Sequence, residues 1–143
     1  MSTEDNKAVV RRFIEEGWNQ KNLALFDELA DPSYSHHDPD FPNVRTLEDY
    51  KQWFRDNRNA FPDLRVTIDD MIAEGDRVVT RWTVRGTNTG DITTPIPMPA
   101  TGKPINVTGV TVSRFAGNRL VEAWQIGNTM GLMQQLGVLP TPG

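Results

Sequence analysis

The sequence predicts an α+β domain in which a curved antiparallel sheet wraps around N-terminal helices and encloses a pocket. Three observations lead there. Apolar residues recur at helical spacing as far as Phe61. From Leu64 onward the period changes to two. Two glycine-centred turns, Glu74-Gly75-Asp76 and Ala116-Gly117-Asn118, then divide the second half into hairpins. Helices followed by an antiparallel meander make an α+β arrangement, here one domain over 1–143.

A first helix is expected from about Thr3 to Gln20, with Thr3 as its N-cap. Val10, Phe13, Ile14, Gly17 and Trp18 form its buried face. Asn22 is expected to cap a second, short helix carrying Leu23, Leu25, Phe26 and Leu29, which Pro32 ends. The proline- and aspartate-rich stretch Asp31–Val44 reads as irregular, with one short strand at Ser33–His37. Thr46 and Asp49 form a capping box that opens a third helix, which Pro62 closes. Strands are expected over Leu64–Glu74, Arg77–Thr87, Pro104–Phe115 and Arg119–Gly127. In the second of these Val78, Thr80, Trp82 and Val84 share one face, and Arg81, Thr83 and Arg85 the other. In the last strand Leu120, Glu122, Trp124 and Ile126 are expected on one face, leading to Asn128. Asn128 and Thr129 then cap a closing helix, and Gly137 follows as its C-terminal cap. The loop Gly90–Lys103 is placed over the mouth of the pocket.

Composition narrows the function classes. A net charge of −4, from 15 basic and 19 acidic residues, argues against nucleic-acid binding, which needs clustered positive charge. No apolar run has the length of a membrane span. The polar, acidic start MSTEDNK is unlike a signal peptide, so a cytoplasmic location is expected. With no cysteine, thiolate nucleophiles, thiolate metal sites and disulfides are excluded. His36, His37, Asp38 and Asp40 crowd together, but adjacent histidines rarely converge on one ion, so no metal is expected.

Only two histidines exist, and in an extended segment they face opposite sides, so one of the two lines the pocket. A histidine there titrates near neutrality and serves as acid and base. Tyr34 and Tyr50 are candidate hydroxyl donors. Trp18, Trp82, Trp124 and Ile126 are candidate pocket wall, and Met98 an adaptable part of the lining. Glu122, beside Trp124, is a candidate buried base.

Five motifs carry a resemblance: Tyr34-x-x-His37-Asp38-Pro39, Phe61-Pro62-Asp63-Leu64, Gly86-Thr87-Asn88-Thr89-Gly90, Thr101-Gly102-Lys103 and Trp124-x-x-x-Asn128-x-x-Gly131-Leu132. In order and spacing they resemble the SnoaL-like polyketide cyclase family, whose fold is the NTF2-like cone. The resemblance implies a cofactor-free, oligomeric protein with a deep apolar cavity. It implies an intramolecular aldol ring closure, which needs a base for a proton alpha to a carbonyl and donors for the enolate oxygen. It selects His37 as the cavity histidine. The family's usual aspartate four residues after Trp124 is here Asn128, and its usual histidine in the glycine-flanked turn is Asn88. An amide does not titrate but still donates a hydrogen bond to a carbonyl or enolate oxygen.

The expected function is cyclase-type acid/base chemistry on a hydrophobic carbonyl compound, with His37 as proton shuttle and Asn128 as oxygen-binding donor. Two alternatives stand beside it. One is a non-catalytic small-molecule binding protein; the other is a different reaction in the same cavity, such as hydroxylation, epoxide opening or isomerisation. A homodimer is expected, joined through the sheet face that carries Arg81, Thr83 and Arg85.

Overall fold

A computed structural model describes residues 2–93 and 96–140. Helix α1 (Thr3–Arg12) opens on a capping box one residue earlier than expected. Ser2 is the N-cap, because its hydroxyl accepts from the Asp5 N–H while the Asp5 carboxylate accepts from the Ser2 N–H. The helix then widens into a π-helical turn, Phe13–Trp18, where the Asn19 N–H donates to the Ile14 carbonyl. Gly17 lies on that turn against the ring of Phe26, and a Cβ would come within 2.5 Å of it. The short helix α2 (Ala24–Leu29) has no side-chain cap, so Asn22 does not play the expected part. Helix α3 (Leu47–Ala60) starts on the Thr46–Asp49 capping box as read from the sequence.

The strands are β1 (Ala30–His37), β2 (Arg65–Glu74), β3 (Arg77–Thr87), β4 (Pro104–Ala116) and β5 (Arg119–Gly127), followed by helix α4 (Thr129–Gln135). Their order in the sheet is β1-β5-β4-β3-β2. The meander β2 to β5 is antiparallel, but β1 joins β5 in parallel, so the sheet is mixed rather than purely antiparallel. A parallel neighbour requires a long connection, and here the rest of the domain supplies it.

The helices cover one face of the sheet. Phe26 is fully buried, and its ring touches Phe13, Trp18, Tyr50 and Phe54 at centroid distances of 4.6 to 6.3 Å. This aromatic cluster fixes the helical layer. Between it and the sheet the packing is incomplete, and a cavity remains.

Two glycines shape the inner face. Trp82, Gly109 and Gly127 are aligned across β3, β4 and β5. The Trp82 indole occupies the room the glycines leave: a Cβ on Gly109 would stand 2.3 Å from its ring atoms. Gly127 therefore makes space for an indole as well as ending a strand.

Candidate active site

The cavity between helices and sheet measures about 150 Å³. An apolar void of that size accommodates a single aromatic ring. Val10, Phe13, Trp18, Tyr50 and Trp53 wall it on the helical side, and Trp82, Val84, Val107 and Phe115 on the sheet side.

A polar row crosses this otherwise apolar floor. Thr80 pairs with Thr111, and Thr111 with Gln125, across β3, β4 and β5. One residue beyond the His37–Trp124 pair, Asp38 continues the row on the far side of β5. Its hydrogen bonds run in one direction. The Trp82 indole N–H, which can only donate, gives to Thr111 Oγ1 at 2.9 Å. The Thr111 hydroxyl donates to Gln125 Oε1 at 3.2 Å. That leaves the Gln125 amide N–H₂ to face Asp38 Oδ2, at a long 3.5 Å.

Asp38 is 7% exposed. Burial, aided by the nearby Asp40 carboxylate, raises its pKa above the ordinary value, against opposing hydrogen bonds from the Asp40 N–H, Gln125 and the Phe41 N–H. Next to it, His36 Nδ1 lies 2.7 Å from the Tyr34 hydroxyl. Burial, with a smaller contribution from His37, lowers the pKa of His36 to about 4, so its ring is neutral at pH 7. Burial also raises the pKa of both Tyr34 and Tyr50, keeping their hydroxyls protonated. The Tyr50 hydroxyl accepts from the Trp18 indole at 2.9 Å.

Two buried polar atoms on the cavity wall have no partner, Trp53 Nε1 and Thr80 Oγ1. Buried polar groups almost always find partners, so an orphan pair in one cavity calls for an explanation.

The structure brings together Trp18, Tyr34, Tyr50 and Trp82 on this cavity, as the sequence suggests. It separates others from it. His37 faces outward and His36 inward, because Tyr34, His36 and Asp38 share one side of β1. The Tyr34–His37 spacing therefore places those two residues on opposite faces. Trp124 and Ile126 also lie on the outer face. Their parity is reversed by a bulge: Phe115 pairs with Leu120 but Arg114 with Glu122, leaving Val121 unmatched. Leu120, Ala123, Gln125 and Gly127 face inward instead. Asn128 caps α4, its Oδ1 accepting from the Gly131 N–H at 2.9 Å. Met98 packs at the edge of the core, paired with Ile92, outside the cavity lining.

Glu122 is not a buried base. It stands on the outer face, bonded to His37 Nε2 at 2.8 Å and to Arg114 at 3.0 and 3.1 Å. The His37 contact, with Arg114, lowers its pKa. His37 stacks on Trp124 at 5.6 Å and 19°. These residues border an outer groove of about 540 Å³, and His36, Asp38 and Gln125 line both groove and cavity.

Asn88 is fully buried and ties the following loop down. Its amide donates to the Ala60 and Gly90 carbonyls and accepts from the Thr101 N–H and hydroxyl. Residues 94 and 95, in the loop expected over the pocket mouth, lie outside the described residues.

Sequence reasoning passed over Gln125, Thr111 and Thr80 as a unit. The signal was present in the period-two pattern of β3 and β4, but the bulge hid Gln125 from it.

A cavity closed by a curved sheet and three helices, with a polar edge, defines an NTF2-like cone protein. The chain belongs to the SnoaL-like polyketide cyclase family, whose family model matches residues 8–136. Among solved structures, AclR of Streptomyces galilaeus, provisionally described as a hydroxylase, is 27% identical. That match covers 99% of this chain and 87% of AclR, with a TM-score of 0.86. A provisionally assigned polyketide cyclase of Acidithiobacillus ferrooxidans is 35% identical over 96% of this chain and 98% of its own, with a TM-score of 0.79. TsrD of Streptomyces laurentii is 26% identical over 97% and 99%, with a TM-score of 0.84. Among curated proteins none matches.

Proposed function

We propose that the cavity takes a hydrophobic carbonyl compound and that the protein performs cyclase-type acid/base chemistry on it. One observation carries this reading: Trp53 and Thr80 line an apolar cavity, and Trp53 Nε1 and Thr80 Oγ1 are buried without a hydrogen-bond partner. A ligand that is mostly hydrocarbon, with oxygen acceptors at separated positions, would satisfy both. Family membership supports the reaction class, with no cofactor required. In this reading the oxygen-binding role moves from Asn128, which caps α4 and does not line the cavity, to Trp53 and Thr80. The shuttle role moves from His37 to the inward-facing Tyr34–His36–Asp38 side of β1.

Tryptophan emission during titration tests it, with an aromatic polyketide ester, a steroid enone, an epoxide and a fatty acid as probes. Trp18, Trp53 and Trp82 line the cavity and report entry. Saturable change with a carbonyl compound, followed by a cyclised product, is expected. Saturation without product would make the chain a binding protein. Silence across the panel would remove the cavity reading. The likeness to AclR favours hydroxylation as a second reading, in which the product gains an oxygen atom and no ring.

A homodimer joined through the outer sheet face belongs to the same proposal. Ile72, Val79, Val112 and Trp124 are aligned there across four strands, with Ile72 63% exposed. Arg81 and Arg85 flank that row, whereas Thr83, expected there as well, is buried with its hydroxyl donating to Asp69 Oδ2. Sedimentation should give twice the chain mass, and Val79→Lys should give monomer. A monomeric wild-type protein at micromolar concentration would sink the dimer.

A further inference from the structure

We infer that Asp38 is the group that removes the proton alpha to the ligand carbonyl, in the place of the acid that Asn128 cannot be. The inference deepens the carbonyl-compound reading of the cavity and rests on it. Among the described residues, Asp38 is the acidic one that lines the cavity. Its two oxygens are held unequally. Oδ1 accepts the Asp40 N–H at 2.9 Å, which fixes the carboxylate through a local turn. Oδ2 has only the long 3.5 Å contact from Gln125 and is the oxygen with capacity to spare.

The surroundings hold this arrangement. Gln125 is a positioning residue: the Trp82–Thr111–Gln125 chain sets its amide so that N–H₂, and not the carbonyl, meets the carboxylate. The Trp53 indole lies 6.2 Å from the His36 ring and 5.3 Å from Phe41, residues on either side of Asp38 in the chain. The Trp53 ring is therefore at the same end of the cavity as Asp38, and its N–H has no partner.

The step balances without a cofactor. The alpha C–H bond breaks, its proton passes to Asp38 Oδ2, and the electron pair moves onto the carbonyl oxygen, which accepts from Trp53 Nε1–H. Reprotonation at carbon returns the proton; attack on a second carbonyl instead closes a ring. The other charged or titratable groups around Asp38 are Asp40 on its turn, His36 and His37 on β1, Arg45 across the outer groove, and Tyr34 and Tyr50 on the wall of the same cavity. Gln125, on β5, is neutral.

The experiment is alpha-proton exchange of 4-phenylbutan-2-one, a ketone with one aromatic ring, in D₂O, followed by NMR, with binding read separately by tryptophan emission. Wild-type protein should bind the ketone and accelerate exchange over buffer. Asp38→Asn should bind it comparably and lose about 100-fold or more of the acceleration, the usual scale for a general base. Exchange by Asp38→Asn at the wild-type rate, or wild-type binding with no acceleration, would overturn the assignment while leaving the carbonyl site standing. Failure of the wild-type protein to bind would instead remove the cavity reading and the inference with it. Should the variant not fold, the wild-type pH profile decides: acceleration should fall on acidification with a midpoint above 3.8, and a profile flat through that range overturns the inference.

Discussion

His36 and His37 share a side-chain type and differ in everything that matters chemically. His36 is buried, uncharged and hydrogen-bonded to Tyr34; His37 is half-exposed, stacked on Trp124 and paired with Glu122. Alternation along β1 made it legible that only one faces the cavity. Which one depends on where β1 begins and on the irregularity between Ala30 and Ser35, neither of which the sequence marks. The pKa of His36 near 4 lies below its unfolded value near 6.5. Its unfolded state therefore binds a proton first as pH falls. Stability should be intact above pH 6.5 and should decline toward pH 4, by on the order of 3 kcal/mol. Urea unfolding of the wild-type protein and His36→Gln at pH 7 and pH 4.5 checks this: the gap between them should narrow or reverse at the lower pH. Asn88 offers a second test at this scale. Asn88→Ala would leave buried backbone groups unpaired and should cost about 2–3 kcal/mol in denaturant titration.

At the scale of elements, period and capping were readable. The change from helical to alternating spacing after Phe61, the Thr46–Asp49 box, and both bounds of β3 and β5 all hold in the structure. Thr46→Ala should destabilise the protein by about 1 kcal/mol in urea, without altering ligand binding. What the period could not reveal was the bulge at Val121, since one unmatched residue reverses the facing of everything after it. Trp124 and Ile126 thereby exchange places with Ala123 and Gln125. The π-helical turn at Phe13–Trp18 was equally hidden, because its residues still satisfy a helical pattern. Gly109→Ala should force the Trp82 indole from its place. About 1–3 kcal/mol of destabilisation is expected, with a shift in tryptophan emission and weaker ligand entry. Unchanged emission would show that the indole tolerates the added methyl group.

For the whole molecule, the two faces of the sheet have different fates. The inner one is covered by helices, except where the cavity remains. The outer one carries the apolar row from the exposed Ile72 and Val79 to the half-buried Val112 and Trp124. No helix among the described residues is long and apolar enough to cross a membrane. The cone architecture was legible from helices preceding a meander. The parallel seating of β1 beside β5 was not, because no local signal links segments so far apart. That seating also has a temporal meaning. The contact between Asp38 and Gln125 spans 87 positions of the chain, whereas β2 and β3 are joined by a tight turn. Contacts between remote segments carry a larger closure entropy and slow folding. On dilution from denaturant, β structure should return before the wall shared by β1 and β5, and ligand uptake should recover with the slowest phase. A nascent chain that has not yet released β5 would lack one side of its cavity and hold nothing in it.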